Sequence, residues 1–218
     1  DHLGHGKSVG EQGKYGYFCE RDPATVLVRD VHRLKKLTEE KYPNVPYIIM
    51  GHSMGSFIVR NYLCRYGSGI SAAIIMGTGM QSMGTLKAAK AAAGIYKRFC
   101  GSRHISRLID KLAFGSYGKR ISNPRTAWDW LSRDEERVDG YIADPMCGFT
   151  FTVNGFQALF ELVSRLHDPR NLAAIPKMLP VFMVSGDADP VGDYGNGVRK
   201  AYESLVEAGL VNIKLKMY

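Results

Sequence analysis

The 218-residue chain reads as an α/β protein, a mostly parallel sheet with a helical cap inserted between its strands. Two patterns predict this. Near each end, a short apolar run is followed by a helix-length segment and a second apolar run, the spacing that a crossover between parallel strands requires. Between them, residues 80–175 show helical patterning without strand alternation.

The elements follow in order. Residues 22–42 place Val26, Leu27, Val31, Leu34 and Leu37 near the helical period, with Asp22 as a cap and Pro23 at a tolerated first position; one face should pack against the sheet. Residues 43–46, bounded by two prolines, end that helix, and the apolar run 47–50 predicts a strand buried on both faces. A helix over 54–65 and a strand over 72–76 complete the first unit. Near the other end, 181–184 predicts a strand, 194–208 a helix and 211–217 a strand. Within the insertion, helices are expected at 85–99, 103–114, 126–132 and 155–165. The chain therefore divides into a first core segment, 1–79, the insertion, 80–175, and a second core segment, 176–218.

Composition narrows the class. With 45% hydrophobic and 23% charged residues the chain can bury a core, which excludes intrinsic disorder. The formal charge is +8, yet Lys87 to Arg125 alone holds ten basic residues and one acid, Asp110, so the remainder is close to neutral. That stretch reads either as a cationic cap for peripheral contact with an anionic membrane, or as a solvated face partly neutralised by Asp129, Asp134, Glu135, Glu136 and Asp139. No basic-aromatic module points to nucleic acid. No run of 18 apolar residues and no secretory leader is present, so neither spanning nor export is expected. The four cysteines form no CxxC pair and no metal-ligand spacing, and read as reduced thiols in cytoplasm. No metal or organic cofactor is expected, and nothing in the sequence fixes an oligomeric state.

The chemistry concentrates in Gly51-His52-Ser53-Met54-Gly55, between a predicted strand and a predicted helix. A serine in such a turn is held in a strained conformation with its hydroxyl beyond the C-terminal edge of the sheet. Gly51 and Gly55 are expected to be small because strand and helix approach there, and the Met54 N–H can face a developing oxyanion. The competing explanation is a glycine-rich turn with a capping serine. His52, adjacent on a sharp turn, is expected to pack near the elbow rather than act on Ser53. A serine nucleophile needs an imidazole and a carboxylate. Carboxylate candidates are Asp189 and, as the alternative, Asp187, both in Ser185-Gly186-Asp187-Ala188-Asp189-Pro190-Val191 after the third strand.

GHSMG, the opening DHLGHGKS and the late GDADPV together resemble the α/β-hydrolase superfamily, in particular serine hydrolases of the monoacylglycerol lipase and lysophospholipase type. The resemblance implies Ser53 as nucleophile, Met54 as elbow oxyanion donor, Asp189 as acid and 80–175 as the cap. His5 then falls in a structural loop, with Leu3 departing from the family's usual arginine. It further implies a base histidine in a segment after Tyr218, since none of His2, His5, His32, His52, His104 and His167 matches that position, and early strands before Asp1. The chain is thus expected to be the middle of a longer hydrolase, aggregation-prone and feebly active alone. His104 and His167 are the candidates for a substitute base.

The implied activity is ester hydrolysis through an acyl-serine, on a small-molecule ester with an acyl chain such as a monoacylglycerol or lysophospholipid. Met80, Met83, Leu86, Ile95, Tyr96, Phe99, Leu108, Ile109, Leu112 and Phe114 could line an acyl pocket or form the insertion's own core. Two alternatives remain: a proline-type serine aminopeptidase, using Glu135 and Glu136 to receive an amino group, and a non-catalytic binding protein on the same fold.

Overall fold

Four short strands, β1 (Ile48–His52), β2 (Ala72–Met76), β3 (Val181–Ser185) and β4 (Ile213–Met217), pair in parallel in the order β1-β2-β3-β4. The computed structural model describes residues 1–11 and 13–218. Register runs Gly51↔Ile75, Ile75↔Met183 and Met183↔Leu215 along one row of partners. Because all four strands run one way, the turns that follow them gather at one edge. There the ladder continues past the strands: Ser53 N donates to Met76 O (3.1 Å), Gly77 N to Val184 O (3.0 Å), Tyr218 N to Ser185 O (3.0 Å), and Asp187 N to Tyr218 O (2.9 Å).

The compact unit that contains this sheet comprises Ala24–Leu86 and Leu159–Tyr218. Its α1 (Pro23–Lys41) buries Ala24, Leu27, Val28 and the stem of Lys35, whose ammonium meets Glu39. Leu34 and Leu37, expected on the packed face, are exposed, because the buried stripe passes through Lys35 instead. The side-chain bonds of α1 run to helices: His32 Nδ1 lies 3.2 Å from Tyr62 Oη, and Arg165 donates to Thr25 Oγ1 at 2.8 Å. Helix α2 (Met54–Tyr66) lies on β1 and β2 and is buried from Ser56 to Leu63. The expectation that β1 is buried on both faces is corrected: Ile49 and Gly51 are buried under α2, whereas Ile48 and Met50 are 59% and 55% exposed. As the terminal strand of the described sheet, β1 has one helix-covered face and one open face.

The second compact unit comprises Asp1–Pro23 and Lys87–Ala158. Its helices are the body of α3 (Met83–Cys100), then α4 (Arg107–Phe114), α5 (Glu135–Ala143) and the start of α6 (Val153–Arg165). Helix α4 begins later than expected because the Ser106 hydroxyl accepts Ile109 N and sets the boundary. No helix forms at 126–132. Asp129 instead accepts from Arg125 N, Thr126 N and Thr126 Oγ1, a side-chain alternative to helical bonding. The aromatic residues of this unit pack on one another: Trp130 on Tyr117 (4.9 Å between centroids), Trp128 on Tyr141 (5.2 Å), and Phe151 on Phe18 (5.4 Å). The opening loop closes on itself, with Asp1 accepting from Lys7 N and Ser8 Oγ, and His5 Nδ1 at 3.0 Å from Leu3 O.

In the sheet-bearing unit the chain continues through α7 (Pro169–Ala173), capped by Asp168, and α8 (Asn196–Glu207) between β3 and β4. Among the described residues no helix is long and apolar enough to cross a membrane.

Candidate active site

Ser53 takes φ 51°, ψ −120°, a left-handed-side conformation that a β-carbon makes costly, on the order of 1–3 kcal/mol. Two things hold it there. Its N–H is tied to Met76 O, and its carbonyl accepts both Ser56 N and Ser56 Oγ. Its side chain makes no capping bond to α2, which removes the capping-serine explanation. The residue is half-buried, and its hydroxyl is not spent on the helix. Met54 is the first residue of α2, and its amide lies outside the helix's own ladder at the positive end of the dipole.

The two elbow glycines differ. A β-carbon on Gly51 would stand 2.2 Å from Gly55 O and 2.7 Å from Val59 Cγ2, so the strand and helix do require hydrogen there. A β-carbon on Gly55 would meet nothing within 4 Å, which corrects the steric reason given for that position. His52 is exposed, at the open face of β1.

The loop that carries both candidate carboxylates, Asp187 and Asp189, lies two strands away at the same edge. Asp189 is half-buried and held at both oxygens: Oδ1 accepts Val191 N at 2.9 Å, and Oδ2 accepts Ser185 Oγ at 3.4 Å. Asp187 is exposed and enters the ladder through its backbone N–H, not its carboxylate. Beyond the loop, Tyr194 N donates to Asp189 O, and Asp193, Tyr194 and Gly195 are successive positive-φ residues (50°, 54° and 90°) leading into α8. Sequence patterning gave no sign of this turn beyond its glycines.

Gly77, after β2, joins the two loops. At φ +56°, a β-carbon there would come within 3.1 Å of the His52 ring and 3.4 Å of Asp189 Oδ2, so the elbow and the acid loop meet across a residue that has no room for a side chain. Neither Gly77 nor Ser185 stood out in the sequence. A glycine immediately after an apolar run was the available signal.

No histidine ring bonds Ser53 Oγ or the Asp189 carboxylate among the described residues. His167 Nε2 is 2.8 Å from Gln81 O, His32 stacks on Tyr66 with centroids 3.9 Å apart, and His104 stacks on Tyr96 within the other unit. Cysteine chemistry does not compete at this edge. The Cys64 thiol is pushed up to about 11 by burial and donates to Arg60 O. Among the described residues no group of three His, Cys, Asp or Glu side chains could hold a metal ion.

Comparison with known proteins identifies the fold and the family. The chain is 29% identical over 190 residues to the monoacylglycerol lipase of Mycolicibacterium smegmatis, covering 87% of this chain and 58% of the relative. It is 28% identical over 226 residues to the monoglyceride lipase of Mus musculus, covering all of this chain and 62% of the relative. It therefore spans about six-tenths of the length of these curated relatives. Among solved structures, a thermostable carboxyl esterase from Bacillus coagulans in complex with glycerol superposes with a TM-score of 0.91 at 29% identity, over 100% of this chain and 70% of that one. A soluble variant of monoglyceride lipase from Saccharomyces cerevisiae shares the fold, with a TM-score of 0.69 at 21% identity, over 100% of this chain and 66% of that one. Residues 1–218 match the family model Hydrolase_4, described as serine aminopeptidase, S33, and the chain belongs to that family, with an α/β-hydrolase fold.

Proposed function

We propose that this chain carries the nucleophile and the acid of a serine ester hydrolase acting on a small-molecule ester with an acyl chain, a monoacylglycerol or a lysophospholipid. The observation that carries the proposal is Ser53: a strained, half-buried serine at the C-terminal edge of a parallel sheet, whose side chain caps nothing. Strain at a polar residue with no structural use is a mark of function.

In the proposed reaction Ser53 Oγ attacks the ester carbonyl while an imidazole takes its proton, and the carbonyl oxygen becomes an oxyanion facing Met54 N–H. Collapse expels the alcohol, which receives that proton, and leaves an acyl-serine. Water then repeats the sequence and releases the acid. Asp189 orients the imidazole and stabilises its cationic form. None of the six histidines of this chain is assigned the base.

The substrate class draws support from relatives named monoacylglycerol and monoglyceride lipase. The surface of the second unit is consistent with it: Ile95 and Phe99 on α3, and Leu108 and Leu112 on α4, are exposed among Lys97, Arg98, Arg107 and Lys111. Exposed apolar side chains beside cations suit peripheral contact with an anionic lipid interface. A peptidase reading is favoured by the family's description, serine aminopeptidase. Against it, the candidate acid Glu135 stands 3.7 Å from Arg125, a cation that would compete with a substrate amine.

The test is a substrate panel on the full natural protein: a monoacylglycerol, a lysophosphatidylcholine, a short-chain ester and a prolyl arylamide. Release of fatty acid from the first two, at rates well above arylamide cleavage, is expected. Cleavage of the arylamide alone would establish the peptidase reading, and turnover of none would establish a binding protein.

A further inference from the structure

Among the described residues Arg60 is the largest fully buried side chain, and its charge has no counter-ion there. It is 0% exposed, no described carboxylate pairs with it, and burial lowers its guanidinium to about 10. An isolated buried cation costs several kcal/mol even after relaxation. All of its side-chain bonds go to one short segment: Nη1 donates to Thr78 Oγ1 (3.3 Å) and Gly79 O (2.8 Å), and Nη2 to Met80 Sδ (3.4 Å), while Nε has no partner. A guanidinium kept at that cost for three neutral acceptors on three successive residues is a clamp on the segment.

The clamped segment lies against the acid loop. A β-carbon on Gly79 would fall 2.4 Å from Val191 O, one on Gly192 would fall 3.0 Å from Thr78 O, and one on Gly197 would fall 3.1 Å from Met80 N. The two backbones are therefore as close as they can be. Gln81 extends the contact: its Nε2 donates to Val191 O at 3.2 Å, which fixes the orientation of the amide, and its Oε1 is buried without a partner. Val191 N in turn donates to Asp189 Oδ1 at 2.9 Å.

We infer that Arg60, together with Gln81, is a positioning residue for Asp189: it fixes Thr78–Met80, against which Val191 is seated, and so aims the Val191 N–H that holds the carboxylate. The inference rests on Asp189 being the acid. It also gives α2 two duties. The helix starts at the nucleophile, and about 10 Å further along its axis it sets the support for the acid, so the two catalytic groups share one rigid element.

The test uses the full natural protein with Arg60→Lys, which keeps the charge and loses the fork, and Gln81→Leu, which changes no charge. Reactive serine is titrated with a fluorophosphonate, turnover of p-nitrophenyl butyrate is expressed per titrated site, and amide exchange is followed at Val191. Both variants should lose about 10- to 100-fold in kcat per site with KM within about twofold, the scale of a small misplacement of a catalytic group. Val191 N–H should exchange at least tenfold faster while amides of α2 and β2 keep their protection. Unchanged kcat per site, or a fall in kcat with Val191 protection intact, overturns the inference. Should Arg60→Lys fail to fold, Gln81→Leu decides it by the same criteria. A wild-type protein that neither labels nor turns over contradicts the hydrolase reading instead, and Val191 exchange then decides the clamp by itself.

Discussion

The turn after β1 and the turn after β3 sit at the same sheet edge and treat their key side chains in opposite ways. At Ser53 the backbone is tied at both ends and strained, while the hydroxyl is left without a capping bond. At Asp189 both side-chain oxygens are occupied, one by Val191 N and the other by Ser185 Oγ. The difference is what the proposed chemistry asks of each. A nucleophile must be positioned through its backbone so that its reacting atom stays free. An acid that never reacts must keep its carboxylate still. Asp187, two residues away, is exposed, lies outside the positive-φ region and bonds through its backbone N–H, and serves as an internal control.

The largest expected contrast breaks or supports that comparison at the acid loop. In the full protein, Asp189→Ala should lower kcat by about 10⁴-fold, since loss of the orienting carboxylate leaves the base misdirected. Asp187→Ala should stay within about threefold. Steady-state kinetics on a soluble ester checks both, and equal losses from the two substitutions would erase the distinction between held and free.

The next contrast concerns what holds the nucleophile turn. Gly51→Ala forces a methyl onto the Gly55 carbonyl and should destabilise the fold by about 3 kcal/mol, at the upper end of overpacking costs. Gly55→Ala places its methyl in open space on a helix and should be neutral or stabilising by up to about 1 kcal/mol. Urea denaturation of the two variants measures this directly. A large loss at Gly55 would mean that the approach of β1 and α2 is misread.

Much of this edge was legible in the sequence, for a physical reason. The elbow announces itself because a strand, a glycine-flanked serine and a helix must follow one another without a break, and β2, β3 and α2 were located to within a residue or two for the same reason of uninterrupted apolar runs. What was not legible is where letters carry no direction. Ile48 and Met50 are as apolar as Ile49, yet they are exposed, because burial depends on which face α2 covers. Arg60 reads as a solvated charge in the middle of a helix and is wholly buried. Helix α5 escapes apolar patterning although Asp134 accepts from Glu136 N and Arg137 N, since its nine residues are interrupted by Gly140 and the signal lies in the cap and the acidic first turn. The Asp193–Tyr194 turn uses left-handed conformations at residues that do not advertise them.

The smallest expected effect lies away from the site, where α1 meets α2. Burial, with Lys36 and Lys35 nearby and only Glu39 opposing, holds His32 below its usual value of 6.5. The unfolded chain then binds the proton first. Stability from this group is complete above about pH 6.5 and is lost as pH falls through the folded value. Between pH 7.5 and 5.5 the natural protein should lose slightly more in Tm than His32→Gln, read by thermal melts. An identical pH response in both would remove His32 from the account.

The most direct measurement is covalent. The full natural protein treated with a fluorophosphonate probe, digested and mapped by mass spectrometry, should carry the adduct on the peptide containing Ser53, and Ser53→Ala should carry none. Absence of an adduct on the folded natural protein, or its appearance on another serine, would contradict the claim that the strain at this turn serves a reactive hydroxyl.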